Sequence, residues 1–150
     1  MRPSLRILRL LGFASAVFWT ASCLHRTPIG PSGVFTMDRL VEQLRQQGVT
    51  VSSRGTEPRD SFSFFSVQAK RLTINGDDVH VFEYATETVA TSEASTVAVA
   101  GTPIGTSQVS WISSPRFYRQ ERFIVLYVGT TTEVVRALDA MFGKPFAGGI

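Results

Sequence analysis

The sequence predicts an α+β domain, a two-layer sandwich in which a mainly antiparallel sheet carries helices packed on one face. Three observations support this fold class. Apolar residues recur with helical spacing in three segments, which need a surface to cover. Short strand-like runs lie between these segments, and tight turns join some of them as hairpins, which makes the strands antiparallel. The chain has 150 residues, which fits a single domain. The predicted order of elements is α-β-β-β-α-β-β-α.

The first helix begins after Thr36, a residue type that caps helix N-termini, and ends at Gly48. Its apolar face has the spacing i, i+3, i+4, i+7 and consists of Met37, Leu40, Val41 and Leu44. A short β-rich run follows at 49–51. The polar segment 52–61 is interpreted as a loop.

The clearest hairpin lies in the middle of the chain. Segment 62–67 is strand-like but irregular, and the strand at 71–74 leads into an Asn75-Gly76 turn from which 79–84 returns. Alternation along both strands predicts one core face, formed by Leu72, Ile74, Val79 and Val81. The other face then carries Arg71, Thr73, His80, Phe82 and Tyr84.

The second half of the chain predicts two more helices and a second hairpin. Segment 86–98 is interpreted as a helix capped by Thr86, and 99–107 as a loop. Strands are predicted at 109–112, from 117, and at 122–128, where a continuous apolar run indicates a central strand. A capping box at Thr130-Thr131-Thr132-Glu133 starts the final helix, and Gly143 and Pro145 end it. Its apolar face is Val134, Val135, Leu138, Met141 and Phe142.

The net charge of +3 belongs entirely to the first nine residues, through Arg2, Arg6 and Arg9. From Cys23 onward the chain carries 12 basic and 12 acidic residues. General electrostatic attraction to a phosphate backbone requires an excess of positive charge. The sequence therefore predicts no nucleic-acid partner.

The N-terminal segment has the order of a secretory signal peptide, predicted at 1–22. Its three arginines precede an apolar run from Leu10 to Trp19, which is too short to span a bilayer. Small residues then lead to Cys23, the only cysteine. This segment resembles a bacterial lipoprotein signal, although the family prefers an aliphatic residue where this chain has Thr20. An ordinary cleaved secretion signal ending at Ser22 is the alternative.

The resemblance implies that Cys23 carries lipid, and that acyl chains such as palmitate hold the protein on the cell membrane or the outer membrane, outside the cytoplasm. Residues 23–35, rich in proline and glycine, predict a flexible tether of about 40 Å when extended. The domain at 36–148 resembles small bacterial lipoproteins of unassigned function, through segments such as 72–84 and 116–129. That resemblance implies no catalytic residues.

Catalytic and metal chemistry have few candidate residues. Of the two histidines, His25 lies in the predicted tether, so histidine catalysis would have to use His80. Two histidines and one cysteine are too few for a structural zinc site, so no metal site is predicted. No motif in the sequence indicates a cofactor, and none is predicted. We expect a non-enzymatic envelope protein that acts by binding or assembly. A small envelope hydrolase using His80, or a soluble secreted binding or inhibitory domain, is the alternative.

One locally basic and aromatic stretch is the candidate binding surface, formed by Arg116, Tyr118 and Arg119. Tyrosine and arginine are enriched in interface hot spots. The partner would be an envelope protein, a lipid headgroup or a glycan. Alternatively, the arginines protect a sheet edge from pairing with other chains.

Overall fold

A computed structural model describes residues 34–149. The helices in this part are α1 (Met37–Gln46), α2 (Glu87–Ala94) and α3 (Thr132–Phe142). The strands are β1 (Val51–Thr56), β2 (Ala69–Ile74), β3 (Asp77–Glu83), β4 (Pro115–Gln120), β5 (Phe123–Val128) and β6 (Ala147–Gly148). They form one antiparallel sheet in the order β1-β2-β3-β5-β4-β6. The predicted α+β class and the antiparallel sheet are confirmed, and the short β6 is an addition.

The start of α1 and the β2–β3 hairpin follow the local signals in the sequence. The Thr36 hydroxyl accepts a hydrogen bond from the Arg39 N–H at 3.3 Å, as expected for an N-cap. In the hairpin turn, Asn75 and Gly76 have φ angles of 51° and 95°. Positive φ at both central residues is the requirement of a type I′ turn. The turn sets Leu72 opposite Val79, so the predicted core face is confirmed.

The sheet is covered on both faces, which corrects the expectation that the helices pack on one. On one side, here the α1/α3 face, α1 and α3 pack over residues such as Val81 and Val125. On the other, the α2 face, α2 packs over Phe82 and Ile124. Adjacent residues of a strand point to opposite faces. Because β3 and β5 are apolar at consecutive positions, both faces must be shielded from water.

Three other predicted elements differ in the structure. Segment 52–61 is not wholly a loop, since β1 continues to Thr56 with its side chains exposed. Segment 62–67 forms no strand, and its first residue, Phe62, is the last residue of a 3-10 turn at Arg59–Phe62. Segment 109–112 is also not a strand, and its Val109 and Trp111 side chains pack against the apolar cluster of the α2 face. The Trp111 indole N–H donates to the Gly101 carbonyl at 3.0 Å, and its ring lies 5.9 Å from that of Phe117.

The final helix begins and ends near its predicted bounds but without the predicted capping box. Thr131 is the N-cap residue, and its side chain makes no capping hydrogen bond. Its N–H instead donates to the Tyr127 hydroxyl at 3.1 Å. At the other end, the Gly143 N–H donates to the Asp139 carbonyl at 2.9 Å. No helix within residues 34–149 is long and apolar enough to cross a membrane.

The core begins just before the predicted domain boundary at Thr36. Phe35, assigned from the sequence to the tether, is 3% exposed and packs edge-on against Phe123 at 5.4 Å. Its N–H donates to the Glu121 carboxylate at 3.3 Å. The folded part therefore includes Phe35. Cys23 and the rest of the predicted signal and tether up to Gly33 lie outside the described residues.

Candidate functional site

The three residues of the predicted binding surface do not form one surface. Tyr118 is 1% exposed, and its hydroxyl donates to Asp139 Oδ1 at 2.9 Å within the α1/α3 face. Arg116 lies on the same face, since it is two positions away in β4, and its Nη1 donates to the Gly129 carbonyl at 3.1 Å. Arg119 lies on the opposite, α2 face. The sequence pattern missed this division because Tyr118 belongs to the core.

Arg119 links α2 to the sheet. Its Nη1 donates to the Thr91 hydroxyl at 2.8 Å and lies 3.7 Å from Glu87 Oε1. Both partners belong to α2, which has only a weakly apolar face of small residues, Ala90 and Ala94. The contacts of Arg119 therefore help to hold this helix on the α2 face.

His80 lies on the α2 face of β3 with its side chain 15% exposed. Its ring centroid is 4.4 Å from that of Phe62. Its Nδ1 lies 3.9 Å from Glu57 Oε1, and that same oxygen is 3.1 Å from Arg71 Nε. The Nδ1 atom has no hydrogen-bond partner among the described residues. The contacts of His80 are thus those of a packed ring beside an Arg-Glu ion pair.

Burial sets the protonation state of His80. Desolvation lowers its pKa, while the negative charges of Glu57 and Asp78 act in the opposite direction. The positive charge of Arg71 lowers the pKa further. The imidazole is therefore neutral at pH 7. A neutral imidazole can act as a general base, provided that a nucleophile lies within hydrogen-bond reach.

The pKa of His80 should lie below its ordinary value of 6.5 and respond to its two neighbours in opposite directions. Glu57→Gln removes a negative charge and should lower this pKa further. Arg71→Gln removes a positive charge and should raise it. An NMR titration of the imidazole protons measures all three values, and the signal lost in His80→Gln identifies His80. A wild-type pKa above 6.5 would contradict the buried position.

A polar network closes the end of the sheet near the β2–β3 turn. The Tyr127 hydroxyl donates to Asp77 Oδ2 at 2.7 Å and accepts from the Thr131 N–H. Hydrogen bonds from Thr131 and Tyr127 lower the pKa of Asp77. A shallow groove of about 490 Å³ beside it includes Asp78, His80 and the exposed Ile112. The network joins β3, β5 and the start of α3, so its hydrogen bonds stabilise the packing of these three elements.

A second groove, of about 570 Å³, lies between α1 and the edge strand β1. Apolar side chains of Met37, Val41 and Leu72 contribute to its lining. Charged and polar side chains complete it, namely Asp38, Glu42, Arg45 and Ser53. Sequence reasoning missed this groove because it assigned 52–61 to a loop.

The strand beside this groove is an edge of the sheet as far as the described residues show, since β1 pairs only with β2. Its pairing is regular from Val51 to Ser53 and then shifts register before Thr56. Arg45 Nη2 donates to the Val51 carbonyl at 3.1 Å. An edge strand with a groove along one side is a common site for adding a further strand.

Metal chemistry finds no support in the described part of the chain. Within residues 34–149, no group of three or more histidine, cysteine or carboxylate side chains is placed to hold a metal ion. No family model, curated protein or solved structure matches the chain.

Proposed function

We propose that this protein is a lipid-anchored bacterial envelope protein that acts by binding or assembly rather than by catalysing a reaction. The observation that carries the proposal is the order of the N-terminal segment. Arginines, an apolar run of ten residues and small residues lead directly to Cys23. Lipid on this cysteine would hold the protein on the outer side of the cell membrane or on the outer membrane.

The folded domain supports a binding role through its exposed edge. The β1 strand presents backbone groups away from β2, and the groove beside it offers both apolar and charged side chains. Backbone groups give a bound strand its affinity, and neighbouring side chains give it selectivity. An anchored protein with such an edge meets partners that lie at the same membrane surface.

Lipid attachment is tested by feeding labelled palmitate to bacteria that express the full chain. We expect label in the wild type and none in Cys23→Ser, because the thiol is the acceptor. Thr20→Leu, which restores the aliphatic residue that lipoprotein signals prefer, serves as the positive control and should take up at least as much label.

Two results would overturn the anchoring proposal. One is equal label in the wild type and in Cys23→Ser. The other is an unlabelled wild-type protein whose mass corresponds to cleavage after Ser22 with a free thiol on Cys23. That second result would support the ordinary secretion signal.

A further inference from the structure

We propose that two copies of this chain associate through β1, which pairs with itself in antiparallel orientation about a two-fold axis at Ser52. The inference rests on the proposed function, because it specifies what the binding surface assembles with. It is carried by the outward-facing backbone groups of β1 and by the charges along α1.

The outward backbone groups of β1 follow from its pairing with β2. The Asn75 N–H donates to the Thr50 carbonyl at 3.0 Å, so Thr50 points its backbone groups toward β2. Backbone direction alternates along an antiparallel strand. Val51 and Ser53 therefore point their N–H and C=O groups away from the sheet, toward a neighbouring strand.

The register of the pair follows from these two residues. An axis at Ser52 places Val51 of each copy opposite Ser53 of the other copy. Each such pair exchanges two hydrogen bonds. The register shift after Ser53 ends the regular strand there, so the pairing is confined to three residues of each copy. No lysine or proline protects the edge within this stretch.

The charges of α1 are self-complementary under the same two-fold axis. Along the groove, Asp38 and Glu42 lie toward the N-terminus of α1 and Arg45 lies toward its C-terminus. An antiparallel second copy reverses this order, so the Arg45 of each copy faces the acidic residues of the other. Isologous contacts of this kind are typical of homodimers. Arg45 would then exchange its bond to the Val51 carbonyl for a carboxylate.

The apolar part of the groove fits the same partner. Met37 and Val41 are partly buried, and Val41 lies between the acidic residues Asp38 and Glu42. In the antiparallel pair, Val41 lies between the two sets of facing charges, and the second copy shields it from water. A partner other than a second copy would need charges in an order that complements Asp38, Glu42 and Arg45.

The test is a disulfide crosslink across the proposed axis in the full chain, expressed in bacteria with its own signal. Ser52→Cys places two cysteines opposite each other in a non-hydrogen-bonded pair, where Cα atoms are about 4.5 Å apart. That distance suits a disulfide. We expect a dimer on non-reducing gels. Ser92→Cys, exposed on α2, is the matched control and should stay monomeric.

Charge reversal tests the geometry further. In the Ser52→Cys background, Arg45→Glu should cause the loss of most of the crosslinked dimer, because like charges then face each other. Adding Glu42→Arg restores the complementarity and should restore the dimer, which also shows that the variants fold.

Three results would contradict the pairing of β1 between two copies. They are a monomeric Ser52→Cys chain, equal crosslinking of Ser92→Cys, and a dimer that Arg45→Glu does not reduce. The anchoring proposal fails separately. Cys23 is the only cysteine of the wild-type chain, so a disulfide dimer of the wild type would show that Cys23 carries no lipid. Such a dimer would not test the pairing of β1.

Discussion

Leu126→Asp should prevent the domain from folding. Leu126 is 0% exposed and lies in the middle of β5, opposite His80 on one side and Phe117 on the other. Its side chain belongs to the apolar cluster of the α2 face. Burying an unpaired carboxylate there costs several kcal/mol, which is comparable to the whole stability of a small domain, about 5–15 kcal/mol.

Ile112→Asp is the matched control, since it makes the same change at a residue that is 99% exposed. This variant should melt like the wild type, because exposed substitutions usually shift stability by about 0.5 kcal/mol or less. Circular dichroism melts compare the two. A cooperative melt of Leu126→Asp near the wild-type temperature would contradict the central position of β5.

Arg119→Ala should also leave the domain folded, with a small loss of stability. Its hydrogen bond to Thr91 is at the surface, and a typical hydrogen bond contributes about 1 kcal/mol. The same melts measure this loss. Complete unfolding of Arg119→Ala would mean that α2 depends on this one contact.

The elements that the sequence predicted well are those whose signals are local. The periodic apolar face of α1 and its cap at Thr36 lie within one short segment. The Asn75-Gly76 turn determines its hairpin through the φ angles of two residues. Such signals need no knowledge of distant parts of the chain.

The elements that the sequence predicted poorly depend on distant neighbours. After Val51, β1 is polar and exposed, and it is a strand because β2 supplies its hydrogen bonds. Trp111 packs against the sheet because a second apolar face needs cover, which a single-face sandwich does not anticipate.

The division of Arg116, Tyr118 and Arg119 between the two faces was missed for a related reason. An aromatic residue between arginines is typical of both a contact surface and a sheet strand that crosses a core. Burial of Tyr118 distinguishes the two, and burial depends on α3 packing above it through Asp139. The edge strand β1, by contrast, carries no unusual residue types, so its position at the edge is visible only from the strand order.

High pH should unfold the domain through its three tyrosines. Tyr84, Tyr118 and Tyr127 are the only tyrosines in the chain, and each is almost fully buried. Burial raises the pKa of each phenol above its ordinary value of 10.0. Below pH 10 the folded and unfolded chains both keep these protons, so the free energy of unfolding does not change through them.

Above pH 10 the unfolded chain releases the phenol protons while the folded chain retains them. The free energy of unfolding then falls by up to about 1.4 kcal/mol per pH unit for each tyrosine, until the pH reaches the folded-state pKa of that phenol. Urea unfolding at a series of pH values measures the slope, and phenolate absorbance reports the ionisation. A folded chain whose phenols titrate near pH 10 would contradict the burial.

Tyr84→Phe isolates one contribution to this slope. The Tyr84 hydroxyl is buried without a hydrogen-bond partner among the described residues, so removing it should leave stability at pH 7 unchanged or raised. The same variant should reduce the slope above pH 10 by the share of one tyrosine. Tyr118→Phe should reduce the slope equally but lose about 1 kcal/mol at pH 7, because its bond to Asp139 disappears. Equal stability of the two variants at pH 7 would show that the Tyr118–Asp139 bond contributes nothing to stability. A slope above pH 10 that neither variant changes would mean that other groups cause the alkaline unfolding.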